Sequence, residues 1–184
     1  PPNAEDPAER ERYGRRLFPE LPSAMRARFE RERPTLARVA GGKEAAQKAL
    51  GAAVRADDPD AVARAVASDA DVDAKVYYTS GKMGGHFTAV YVAAYGNKLR
   101  ALRFLLCAAG ADPNADCGSS HGYSSSGRGT PCYQACSEHH HDCVRVLLAL
   151  GATPDHSTLP RGHGECTCSG DIAHAPGCVC VQCK

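Results

Sequence analysis

The chain has 184 residues, enough for one ordinary domain with appendages. Its 22 basic residues nearly cancel 21 acidic ones, so no whole-protein field invites nucleic acid or an anionic membrane surface. No run of about 18 apolar residues occurs, so no membrane-spanning helix is expected.

Residues 1–42 form a polar leader rich in Arg, Glu, Pro and Ala. PPNAEDPAERERYGRR lacks the apolar core of a secretory signal and opens on Pro1 rather than Met, so a processed chain or a fragment is expected. With no signal, the ten cysteines are expected as reduced thiols in the cytoplasm or nucleus, not as a secreted disulfide framework. Ser23 can cap a short helix over AMRARFERER, which Pro34 would stop. Only Met25 and Phe29 give that helix an apolar face. This predicts a loosely attached arm, partly disordered.

From residue 43 the composition turns to Ala, Val and Leu at helical spacing. Three segments align: residues 48–73, 88–114 and 130–155. Each reads as a short Ala-rich helix, a turn, a second amphipathic helix and a small-residue stop with Asp. Thr88 and Thr130 stand where N-cap hydroxyls are wanted, with Pro131 at the first helical position. Asp58-Pro59 restarts the second helix of the first unit in the same way. Ala52, Ala53, Ala93, Ala94 and Ala135 let the first helices pack closely. Val62 and Val66, then Leu102, Leu105 and Leu106, then Val144, Leu147 and Leu148 supply the apolar stripes of the second helices. Gly110 and Gly151 fall where a helix C-terminus needs a left-handed residue. One such pair cannot bury its own apolar face, but stacked pairs share a core.

These residues resemble the ankyrin repeat family. Its pattern, T-P-L-H-x-A-A-x-x-G-H, then V-x-x-L-L, then G-A-D-x-N, is similar to TPCYQACSEHH, VRVLL and GATPD. It is also similar to TAVYVAAYGN, LRFLL and GADPN. AAVRADDPDAVARAV with DADVD is a weaker third copy. The resemblance implies an all-α repeat solenoid over residues 43–157, made of stacked helix pairs with hairpin or loop fingers. Three departures stand out. The family's fourth-position His is Gly51, Tyr91 and Tyr133 here. The second unit has one extra residue after its Leu-Leu pair. The spacings of Lys48 to Thr88 and Thr88 to Thr130 exceed the roughly 33 residues of the family unit. The excess lies in AKVYYTSGKMGGHF and ADCGSSHGYSSSGRG, where the family places its fingers.

SEHHHDC looks like metal or acid–base chemistry. In the repeat register, however, His139 takes the family's glycine position, His140 takes its histidine position, and His141-Asp142 open a helix. Cys143 sits where an inward aliphatic residue is usual and would act as a small hydrophobe. Consecutive turn residues point apart, so the cluster is read as scaffold rather than metal site.

Residues 158–184 form a small Cys-rich segment. His163, Cys166, Cys168, His174, Cys178, Cys180 and Cys183 are the residue types that ligate zinc, and the segment has almost no apolar residues for a core. A structural zinc would supply its folding energy. A metal-free tail, or one oxidised to disulfides, is the alternative. Cys180, Cys183 and Lys184 resemble the front half of a MYND-type zinc finger, although Cys166 and Cys168 are spaced C-x-C. The tail, or residues beyond Lys184, is expected to cover Val146 and Leu150 at the end of the stack.

No catalytic constellation stands out, and GKMGG lacks the spacing of a phosphate loop. The resemblance therefore implies a non-enzymatic module that binds another protein, with no nucleic acid, membrane or small-molecule substrate. The family's variable positions place its contacts at Arg55, His86, Phe87, Tyr95, Ser137 and Glu138. The long loops add Tyr77, Tyr78, His121, Tyr123 and Arg128. Two other readings remain: the targeting part of a larger zinc-finger enzyme, of ubiquitin-ligase or methyltransferase type, and metal buffering by the tail.

Overall fold

A computed structural model describes residues 14–80, 83–115 and 130–153 of the chain. Within them α1 (Pro22–Glu32) runs into a short 3-10 turn, Arg33–Thr35. Three helix pairs follow: α2 (Gly42–Ala56) with α3 (Pro59–Ala67), α4 (Ala89–Tyr95) with α5 (Leu99–Phe104), and α6 (Pro131–Ser137) with α7 (His141–Ala149). A hairpin of β1 (Lys75–Ser80) and β2 (Met83–Thr88) separates the first two pairs. The first helices α2, α4 and α6 lie side by side in one layer, and α3, α5 and α7 form the other. The core between them is aliphatic, with Leu50, Val54, Val62, Leu102, Leu105 and Leu147 all fully buried.

Three of the four expected N-caps form where the sequence places them. Asp58 accepts hydrogen bonds from the N–H groups of Asp60 and Ala61, with Pro59 next to it. Thr88 and Thr130 each accept from the third residue on, Tyr91 and Tyr133. Gly110 and Gly151 are left-handed, with φ of 75° and 94°, and Asp69 takes the same role in the first pair at φ 66°. The extra residue of the second unit is absorbed inside its helix, because α5 continues as a π-helical turn, Leu105–Ala109. The closing bond records it. Ala70 N–H reaches back to Ala65 and Ala152 N–H to Leu147, but Ala111 N–H must reach one residue further, to Leu105.

Side chains also staple one unit to the next. The Asp73 carboxylate accepts from Asp112 N–H at 2.9 Å, and Asn114 Oδ1 accepts from Thr153 N–H at 2.7 Å. Asn114 Nδ2 donates to the Gly151 carbonyl at 3.1 Å. Asp57 accepts from Ala101 N–H at 2.8 Å. Asp73 and Asn114, after the first two stops, thus bond the stop segment of the following unit.

The N-terminal arm differs from expectation. Ser23 is not its cap: α1 starts at Pro22 after an extended Leu21, with no side-chain cap bond. Nor does the arm hang loose. Phe29 is only 4% exposed and meets Phe104 edge-to-face, ring centroids 5.2 Å apart. Arg103 donates to the Leu17 carbonyl at 2.8 Å, and Arg16 pairs with Asp142 at 2.6 Å. Leu17, Phe18 and Leu36 join Met25 and Phe29 in the contact, and the π-helical turn and α5 present a surface that receives them. Val146 at the far end is likewise fully buried, and Leu150 half-buried. The tail invoked to cover them lies outside the described residues.

Candidate functional site

Strand alternation decides which finger residues are available. In the hairpin register Val76 faces Phe87, Tyr77 faces His86 and Tyr78 faces Gly85. Directly opposed residues share a face, so Val76, Tyr78 and Phe87 turn one way and Tyr77 and His86 the other. The first face is buried. Tyr78 packs edge-on to Tyr95 at 5.9 Å, and Phe87 stacks on Tyr91 at 5.1 Å. Tyr78 and Phe87, expected as partner contacts, are 7% and 9% exposed and belong to the core.

The hairpin therefore lies on α2 and α4 instead of projecting from them. Gly51 explains how it can. A Cβ there would stand 3.2 Å from the Val76 Cβ, so the glycine in the family's histidine position admits β1 at close range. Tyr91, in the same position of the second unit, stacks on Phe87, and its hydroxyl bonds Gln134 Oε1 at 3.0 Å. These departures from the family pattern seat the hairpin and link α4 to α6.

The opposite face of the hairpin is open. Tyr77 is 60% exposed, with its ring 5.4 Å from that of His86. Arg55, at the end of α2, donates from Nη1 to the Tyr77 carbonyl at 2.9 Å and so fixes the strand edge. Tyr95 is half-buried at the end of α4. Its burial, then the Glu138 carboxylate and Tyr78, push its phenol above the usual value. Glu138 is exposed and accepts from Gln134 Nε2 at 3.3 Å, while the Ser137 hydroxyl bonds back to the Gln134 carbonyl at 3.0 Å. Arg55, Tyr77, His86, Tyr95 and Glu138 thus remain accessible to different degrees, and Ser137 is partly used by its own helix. His121, Tyr123 and Arg128 lie outside the described residues.

Thr79 and Lys98 were missed by sequence reading. With Arg55, Tyr78, Val92 and Gly96 they line a pocket of about 190 Å³ beside the hairpin. The signals were available: Thr79 alternates with Tyr78, and Lys98 replaces the family's turn histidine. A larger groove of about 450 Å³ lies on the other side, between α1 and the second helices, and its rim mixes Arg28, Arg64 and Arg100 with Glu32 and Asp60.

The histidine cluster resolves into separate jobs. His140 Nδ1 lies 2.9 Å from the Ala94 carbonyl. A carbonyl only accepts, so Nδ1 carries the proton and the ring ties the third unit to the second. His139 is left-handed at φ 59°, matching Asp57 at 55° and Asn97 at 54° at the same point of the other turns. His141 is exposed, and burial of part of its ring, then Arg145, lower its pKa. Cys143 is fully buried, and its thiol is pushed up to about 12 by burial first, then by Asp142 and Asp57. Its Sγ points at Asn97 Oδ1, 3.5 Å away. Cys107, Cys132, Cys136 and Cys143 are all free. Among the described residues no group of three or more His, Cys, Asp or Glu is placed to hold a metal. His163, Cys166, Cys168, His174, Cys178, Cys180 and Cys183 lie outside them. No described helix is long and apolar enough to cross a membrane.

Residues 85–117 and 129–159 match the family model of the Ankyrin repeat. These are the second and third units; the α2–α3 pair has the same left-handed turn and closing bond without being matched. No curated protein matches the chain.

Proposed function

We propose that the chain is a non-enzymatic interaction module whose protein partner docks across the open hairpin face and the adjoining ends of α2, α4 and α6. Ankyrin repeats generally mediate protein–protein interaction. The observation that carries the reading is Tyr77, 60% exposed, its ring beside His86 and its carbonyl held by Arg55. Exposed aromatic and Arg side chains on a rigid support are the usual anchors of protein interfaces. The arrangement is rigid because its reverse face is core.

The test compares the full chain with Tyr77→Ala combined with Tyr95→Ala in proximity cross-linking from cell extract, read by quantitative mass spectrometry. The double variant is expected to lose a defined set of cross-linked proteins while its helical circular dichroism is retained. An unchanged set would sink this map of the face.

The proposal extends to the tail, where Cys166, Cys168, Cys178, Cys180 and Cys183 with His163 and His174 supply ligands for a structural zinc. Donor chemistry alone supports it. One or two tightly held zinc equivalents in the full chain, and a melt lowered by chelator, are expected. A metal-free preparation with an unaltered melt would remove the zinc.

A further inference from the structure

We propose that the pocket between the hairpin and the end of α4 is an anion-accepting subsite that takes an Asp or Glu side chain from an acidic segment of the partner. The inference rests on the interaction reading above and adds the partner's chemistry. At about 190 Å³ the pocket is below the roughly 300 Å³ at which small-ligand sites begin, so it suits a single side chain. Its only charged lining residues are Arg55 and Lys98. Neither has an ion-pair partner among the described residues, and no carboxylate lines the pocket.

Each cation is held by a specific neighbour. Arg55 is tethered through one nitrogen to the Tyr77 carbonyl at 2.9 Å, which leaves its other N–H groups for a ligand. Lys98 folds its stem over Gly96. A Cβ at Gly96 would stand 3.3 Å from Lys98 Cγ and Cε, so the absent side chain makes the space the lysine uses. Pre-placed cations lose little freedom when a carboxylate arrives. Thr79 adds a hydroxyl at the pocket wall, and exposed Tyr77 with His86 supplies apolar contact beside it.

The experiment probes an array of random dodecapeptides with the labelled full chain. A tight-binding acidic peptide is then titrated by fluorescence anisotropy. Bound peptides should be enriched in Asp and Glu. Lys98→Glu should weaken that peptide by about tenfold or more, as should replacing its Glu with Gln, and rising salt should weaken binding further. Lys98→Glu is the deciding variant because its ammonium bonds no described group, so its melt should not move. Arg55→Glu repeats the test with the hairpin tether removed. Peptides bound without acidic preference, or bound equally by Lys98→Glu, overturn the subsite and leave the interaction module standing. Failure to bind any peptide overturns both. Equal binding of an oligothymidylate of matching length, lost in the same variant, overturns it in favour of nucleic acid.

Discussion

Truncating Phe29 to Ala asks whether the N-terminal arm is part of the fold. The ring is 4% exposed and stands edge-to-face on Phe104, centroids 5.2 Å apart and planes at 82°. Burying roughly 150 Å² of aromatic surface contributes about 4 kcal/mol at about 25 cal/mol per Å². The edge-to-face pairing adds about 1 kcal/mol. The full sum cannot be lost, because the cost is capped by the free energy with which α1 docks. Beyond that cap the arm detaches and the three helix pairs stay folded. The remaining docking contacts are modest: buried Leu17, partly buried Phe18, Met25 and Leu36, the Arg103 bond to the Leu17 carbonyl and the exposed Arg16–Asp142 pair. We therefore expect Phe29→Ala to cost about 2–3 kcal/mol.

Urea unfolding followed by circular dichroism measures it, with hydrogen exchange over residues 22–32 as a local readout. Phe104→Ala and the double variant complete a cycle. The coupling should be about 0.5–1.5 kcal/mol. A Phe29→Ala cost below about 0.5 kcal/mol with no coupling would refute the reasoning and return the arm to a solvated appendage.

The other predictions concern turns, staples and thiols. His139→Gly should stabilise by about 0.5–1 kcal/mol, since a residue with a side chain is strained in the left-handed region, and a thermal melt reads it. His140→Ala should cost about 1–2 kcal/mol through the lost bond to the Ala94 carbonyl, while exposed His141→Ala stays near neutral in the same melt. Asn114→Ala removes both bonds to Gly151 and Thr153 and should cost about 1–2 kcal/mol, with exchange rising in α7 before α2. The Cys143 thiol is raised from 9.0 to about 12 in the folded chain, so the folded state binds the extra proton in that window. Its stabilisation is complete below about pH 9 and lost as pH climbs towards 12. Cys143→Val should flatten that alkaline decline, and wild-type Cys143 should resist iodoacetamide at pH 8 until the protein is unfolded.

Most local chemistry was legible in the chain, the Ser23 cap excepted; contacts between distant segments were not. Asp58-Pro59, Thr88 and Thr130-Pro131 act within three residues of themselves, so their caps could be read directly. The left-handed His139 was legible because its register position belongs to glycine. The docked arm was not, because Phe29 finds its partner 75 residues away, at Phe104, and two apolar side chains do not announce a receiving surface. The fate of the finger depended on a residue that looked like a defect. Gly51 in a histidine position read only as a departure from the family pattern, yet the missing side chain lets Val76 approach and turns Tyr78 and Phe87 inward. Tyr77 and His86 then face outward by alternation alone. The accessible face therefore follows from one absent Cβ and a period of two. A bulky Gly51 replacement should lift the hairpin and expose Tyr78 and Phe87 as well.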